Sequence, residues 1–357
     1  MFSNLFLKSF RILLFPFSLL YWLCIAVRNF LYDTNILKST GFALPLICAG
    51  NLSTGGTGKS PMVEYLVELL QHRFRIATLS RGYKRKTRGY ALAGKSTIAL
   101  EIGDEPMQFH RKYPDVPVAV GEERLVAIPQ LLHDKPDTEV ILLDDAFQHR
   151  AVKAGLNILL TDYNNLFTRD FYLPTGDLRD LKRSYKRAEI IIVTKCKENI
   201  SAAEKAELIT EINPVSGQKI YFTSIEYERP RHFISHRQIE LQENTEVLLV
   251  TGIANPRPIK KMLEQHHNGY LMIQFPDHHI FTIDDWREIK KRFDAIKATD
   301  KIVLTTEKDA VRLEKFKPEI QDMPLYVIAI RHKFLFGEGE LFNRTVIDFI
   351  EDFKKHH

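Results

Sequence analysis

The sequence predicts an α/β chain, with a mostly parallel sheet covered by helices on both faces, then a smaller α/β domain. Three observations predict it. Short, continuous apolar runs of strand length alternate with longer amphipathic segments between residues 44 and 195, the pattern of strands buried on both faces and their crossover helices. One of these runs ends in a glycine-rich loop that opens a helix. A second alternation begins near residue 247, after a stretch that reads as extended.

The elements follow in order. Residues 1–37 are dense in Phe, Leu, Ile, Tyr and Trp, with Lys8, Arg11 and Arg28 at intervals. The uncharged core, Ile12 to Val27, is shorter than the roughly 20 residues of a spanning helix, and Pro16 interrupts it. The stretch therefore reads as a membrane-associated helix lying in the interface, its cations toward anionic head groups, or else as a core helix packed on the main domain. The runs LPLICAG (44–50), RIATLS (75–80), VPVAVG (116–121), VILLDD (140–145), NILLTD (157–162) and EIIIVTK (189–195) read as strands of a domain spanning 38–220. Residues 221–246 read as an extended linker. In 247–357, YLMIQFPD, DKIVLTTEKD and PLYVIAI read as strands and DDWREIKKRFDAIK as an amphipathic helix, forming the second domain.

Composition narrows the function classes. The chain has 357 residues, enough for two cores, and 50 Lys plus Arg against 45 Asp plus Glu is too balanced for wholesale nucleic-acid binding. Cys24, Cys48 and Cys196 lie far apart, which excludes a disulfide framework or zinc cage and suits a reducing compartment. The histidines include the adjacent pairs His266-His267 and His278-His279, but no HxxxH spacing for a metal.

The loop GNLSTGGTGKSP (50–61) departs from GxxxxGK[ST] only at Ser53. Residues Ser53, Thr54, Gly55, Gly56, Thr57, Gly58, Lys59 and Ser60 form the candidate phosphate cradle of a P-loop NTPase-like domain. Backbone amides curl around phosphate oxygens, Lys59 reaches the terminal phosphates, Ser60 offers a hydroxyl to Mg2+, and the following helix points its positive end at the anion. VILLDDAFQHR supplies the partner strand, with Asp144 and Asp145 as alternative Mg2+ ligands. In EIGDEPMQFH, Asp104 stands before a helix, where an Asp is more often an N-cap than a general base. Asp277 beside His278 reads either as an acid-base unit or as a surface loop. The basic runs SRGYKRKTRGY, with Arg81, Arg85 and Lys86, and DLRDLKRSYKR, with Arg179, read as solvated faces or as cations for a phosphate-bearing substrate in an anionic membrane.

In order along nearly the whole chain, GNLSTGGTGKSP, LSRGYKRKTRGY, GDEP, LLDDAFQHR, PTGDLRDLKRS, TGIANP, FPDHHIF and TTEKDAVR resemble the tetraacyldisaccharide 4'-kinase family of Gram-negative bacteria. The resemblance implies a membrane-associated enzyme at the cytosolic face of the inner membrane. It implies transfer of the γ-phosphate of ATP, with Mg2+, to the 4'-hydroxyl of a tetra-acylated disaccharide 1-phosphate. It makes Asp104 the catalytic base and His278 its assistant, with His279 in reserve, and accounts for Ser53. Ala146 departs from the family's DDGFQH. A P-loop GTPase or partitioning-type ATPase switch is the rival class. VTKCK, however, places Lys197 where a guanine-reading Asp belongs, and Thr54 stands where the partitioning loop carries Lys.

Overall fold

The computed structural model describes residues 11–266 and 269–356, so Lys8 and His267 lie outside the described residues. Helix α1 (Phe15–Asp33) carries Pro16 in its first turn, where a missing N–H breaks no intrahelical bond. The expected interruption at Pro16 is therefore corrected, and the 19-residue helix is long and apolar enough to cross a membrane. Two faces divide it. Ser18, Ile25 and Asn29 are buried against the body, whereas Phe15, Phe17, Leu19, Leu20, Leu23 and Phe30 are exposed.

Strand β1 (Leu46–Asn51) leads into helix α2 (Lys59–Leu70) and β2 (Ile76–Ser80), and a two-residue strand β3 (Ala91–Leu92) closes the far edge. Helix α3 (Asp104–Lys112), β4 (Val118–Val120), α4 (Arg124–Asp134), β5 (Val140–Asp144), β6 (Leu156–Asp162), β7 (Ile190–Thr194), α5 (Ala202–Ile212) and β8 (Lys219–Tyr227) follow. Eight strands of the larger, nine-stranded sheet run β8-β7-β6-β1-β5-β2-β4-β3, and among these only β3 is antiparallel. Apolar residues of β1, β5, β6 and β7 alternate between two cores, one on each face: Cys48, Leu143 and Leu159 on one, Ile47, Leu142 and Ile158 on the other. That two-sided burial is why these strands read as unbroken apolar runs.

The second domain adds β9 (Arg231–His232), β10 (Glu246–Thr251), α6 (Arg257–His266), β11 (Tyr270–Gln274), α7 (Ile283–Ala295), β12 (Lys301–Thr306), α8 (Glu307–Leu313) and β13 (Leu325–Ile328). Its sheet order is β11-β10-β12-β13-β9, with only β9 antiparallel. The chain then turns back. Strand β14 (Ile330–Phe334) pairs antiparallel with β8, and α9 (Gly339–His356) packs Phe342, Val346 and Ile350 on the first domain, with Phe334 and Phe342 stacked 4.6 Å apart.

Two sequence boundaries differ from this architecture. Residues 219–227, read mostly as linker, are a strand of the larger sheet, and residues 330–356, read as second domain, return to the first. Apolar alternation identifies a strand but not the sheet that receives it. The two crossings lie side by side, with Glu228 N–H donating to the Ala329 carbonyl at 3.0 Å.

Candidate functional site

The loop between β1 and α2 is shaped by backbone that side chains rarely adopt. Gly55 and Gly58 have φ of +109° and +88°, and a Cβ on Gly58 would lie 3.0 Å from the His332 ring. Only glycine meets both demands at 58. Donors hold the loop's carbonyls from behind. Lys195 Nζ donates to Gly56 O, Thr194 Oγ1 to Thr57 O (2.8 Å) and His332 Nε2 to Gly58 O (2.9 Å). Because Gly58 O only accepts, His332 carries its proton on Nε2, leaving Nδ1 to accept from Thr223 Oγ1 at 2.9 Å. Complete burial pulls the His332 pKa down to about 4, so it stays neutral.

Ser53 and Thr54 are tied to the segment PTGDLRDLKRS: Ser53 bridges Leu178, and Thr54 N–H donates to Asp177 O at 2.7 Å. The same segment holds both neighbours of the loop. Arg179 bonds Asp145 and the Asn51 side chain. Asp180 accepts from Asn29 of α1 at 2.8 Å and from Arg187 at 3.0 Å. Arg179, read as a cation for substrate, is thus engaged inside the cradle.

The two strand-end acids have separate surroundings. Asp145 lies 3.6 Å from Lys59 and pairs with Arg179; burial opposes its charge, yet these two cations hold its carboxyl below the usual range. It also carries a left-handed φ of 51°, so the sharp step after β5 falls on Asp145 and not on Ala146. Asp144 is buried, accepts from Ser80 Oγ at 3.2 Å through Oδ2, and leaves Oδ1 without a partner. Burial, with Glu105 and Asp145 nearby, pushes its pKa up to about 7. No cage of three or more His, Cys, Asp or Glu exists among the described residues. Mg2+ does not need one, since it keeps waters and takes one or two carboxylates plus phosphate oxygens. An orphaned carboxylate oxygen and the Ser60 hydroxyl fit such a cation.

The third part lies across the domain boundary. Gly103, at φ +95°, begins α3, and Asp104 and Glu105 occupy its first turn, where the helix dipole favours carboxylates. Glu105 Oε1 accepts from Ser60 Oγ at 3.1 Å and from Lys308 Nζ of α8 at 2.6 Å. Burial would raise the Glu105 pKa, but Lys308 and Lys59 hold it below the ordinary value. Asp104 Oδ2 lies 3.3 Å from His278 Nδ1, and Arg312 of α8 donates to the same oxygen through Nε (2.9 Å) and Nη2 (2.8 Å). His279 is turned elsewhere: it bonds the capping carboxylate of Asp285 at 2.9 Å and stacks on Phe275 at 4.5 Å. Glu307 completes the junction, accepting from Arg231 at 3.0 Å and lying 3.3 Å from Lys112. Sequence reading missed Lys308 and Arg312, although TTEKDAVR contains both.

The basic runs divide. Arg81 and Lys86 are exposed, but the Arg85 side chain is only 1% exposed and pairs with Glu122 at 2.7 Å. As a contact for substrate, Arg85 is therefore corrected to a brace between its loop and Glu122, just after β4. His149, within LLDDAFQHR, is assigned no role from the sequence. Burial first, then the charges of Arg124, Arg28 and Arg81, pull its pKa down to about 4, so the imidazole stays neutral.

Comparisons with known proteins agree over this whole frame. Residues 10–349 match the family model described as tetraacyldisaccharide-1-P 4'-kinase. The tetraacyldisaccharide 4'-kinase of Flavobacterium johnsoniae is 44% identical, covering 96% of this chain and 98% of its own. That of Bacteroides thetaiotaomicron is 42% identical over 95% of this chain and 93% of its own. The crystal structure of LpxK from Aquifex aeolicus in complex with ATP superposes with a TM-score of 0.75 at 28% identity, covering 96% of this chain and 99% of that one.

Proposed function

The chain belongs to the tetraacyldisaccharide-1-P 4'-kinase family, and from that premise we propose how its cleft moves the γ-phosphate of ATP to a sugar hydroxyl. It is a kinase of lipid A biosynthesis, acting on the 4'-hydroxyl of a tetraacyldisaccharide 1-phosphate. The amides of Gly55, Gly56 and Gly58 and the Lys59 ammonium receive the triphosphate of ATP. Ser60 and Asp144 would hold Mg2+, which supplies charge neutralisation for the transferred group; Asp145 instead fixes Lys59 and Arg179. Asp104 accepts the proton of the 4'-hydroxyl, with His278 beside it.

One observation carries this reading. Glu105, bonded to the cradle's Ser60, is the chain neighbour of Asp104, so one turn of α3 sets a candidate base next to the phosphate loop. Helix α1 is bonded along one face to the body, through Ser18 to Thr175 (2.7 Å), Tyr21 to Arg179 O (3.2 Å) and Asn29 to Asp180 (2.8 Å). Its opposite, apolar face is left to enter the inner membrane from the cytosolic side.

The test is a defined tetraacyldisaccharide 1-phosphate incubated with ATP or GTP and read by mass spectrometry. A gain of one phosphate with ATP is expected, and Asp104→Ala should lower turnover roughly 100- to 10,000-fold with ATP binding intact. Near-native turnover by Asp104→Ala removes that residue from the role of base. Nucleotide hydrolysis with GTP and no phosphorylated lipid would favour the switch-like rival.

A further inference from the structure

The guanidinium of Arg312 engages Asp104 in an unusual way. An Arg–carboxylate pair ordinarily forms two parallel bonds, one to each oxygen. Here Nε and Nη2 both converge on Oδ2, at 2.9 and 2.8 Å, and no described residue bonds Oδ1. The remaining arm is fixed within the second domain: Nη1 donates to Gly252 O and to Asp309 Oδ1, each at 3.1 Å. Asp309 is fully buried and held in turn by Gly252 N–H (3.0 Å) and Thr306 Oγ1 (2.8 Å). The His278 amide donates to that same Gly252 carbonyl at 3.1 Å, so Arg312 and His278 share one anchor.

We infer that Arg312 is a positioning residue for phosphoryl transfer, occupying Oδ2 of Asp104 so that Oδ1 alone is presented to the acceptor hydroxyl. The inference rests on Asp104 serving as the base. A carboxylate on a short helix turn rotates about χ2 and exchanges its two oxygens unless one is held. Arg312 stops that exchange, and only a second domain docked on α3 supplies it. His278 Nδ1 lies 3.3 Å from Oδ2 but 3.1 Å from Arg312 Nη2, and because a guanidinium only donates, Arg312 holds the imidazole as well as the carboxylate. Lysine at 312 would reach Oδ2 with one ammonium but would not hold Gly252 and Asp309 together with it.

The experiment is steady-state kinetics on Arg312→Ala and Arg312→Lys, alone and combined with Asp104→Asn. Arg312→Ala is expected to lower kcat roughly 100-fold, the scale of misplacing a reacting group, with the KM for ATP within about twofold of native. Arg312→Lys should recover part of the loss. In the Asp104→Asn background, Arg312→Ala should cost little more, because the group it positions is gone. Glu307→Gln serves as the control, since it weakens the same domain junction without touching Asp104. Equal losses in Glu307→Gln and Arg312→Ala, or full additivity with Asp104→Asn, would overturn the inference. If Asp104→Asn itself turns over normally, the assignment of the base fails instead.

Discussion

The phosphate loop and the Asp104 corner sit a few residues apart in space but are built in opposite ways. The loop is one continuous segment between a strand and the helix it opens, and its shape is carried by Gly55 and Gly58. The corner is assembled from residues 174 and 208 positions apart, Asp104 with His278 and Asp104 with Arg312. Glycine backbone braced by Thr194, Lys195 and His332 within one domain makes the first; docking of two domains makes the second. On the function proposed above, binding of nucleotide and readiness for transfer should be separable, so substitutions at each should leave different kinetic signatures.

The largest effect that sharpens this contrast is expected within the strand-end pair. Asp144→Asn should lower kcat roughly 100- to 1,000-fold, the scale of losing one electrostatic partner of the transferring group. Titration should also show a higher Mg2+ requirement. Asp145→Asn should act mainly through the KM for ATP, because it releases Lys59 and Arg179. Identical profiles for the two would break the division between them.

Next comes Lys308→Ala, which removes one charge-assisted bond from Glu105 across the junction. A loss in kcat of roughly tenfold is expected, with nucleotide affinity measured by calorimetry unchanged. Weakened ATP binding would place Lys308 with the loop instead.

His332→Gln tests the loop from behind. In the native chain the folded-state pKa of His332 lies near 4, below the 6.5 of an unperturbed imidazole, so the unfolded state takes up the proton first as pH falls. Stability from this group is therefore complete above 6.5 and lost toward 4, by about 3 kcal/mol at most. Denaturant melts at several pH values should show a shallower loss in His332→Gln, together with a severalfold rise in the KM for ATP. The smallest catalytic effect belongs to Arg85→Ala. It should leave both Michaelis constants nearly unchanged while lowering the melting temperature, whereas exposed Arg81→Ala should raise the KM for the lipid alone.

The strands of the larger sheet were legible because burial on both faces leaves unbroken apolar runs, as in ILL of 141–143 and III of 190–192. The strand–loop–helix around residues 53–60 was legible because its glycines, lysine and serine follow one another directly between an apolar strand and a helix. The partners of Arg85 and Arg179 were hidden for a physical reason: a basic run shows charge, and only the fold shows whether Glu122 or Asp145 lies within reach. The return of β14 and α9 to the first domain was hidden too, since the spacing of Phe342, Val346 and Ile350 states that a helix has an apolar face and nothing about its partner.

By itself, then, the sequence determined what is local: the glycine-rich strand–loop–helix, the acids closing β5, and an amino-terminal helix with a strongly apolar face. The tertiary structure alone decided which of two adjacent aspartates keeps an open oxygen, which of two adjacent histidines turns to Asp104, and that Arg312 holds it. Those outcomes depend on distances between segments far apart along the chain. Side-chain type and spacing carry no information about such distances until the two cores have packed.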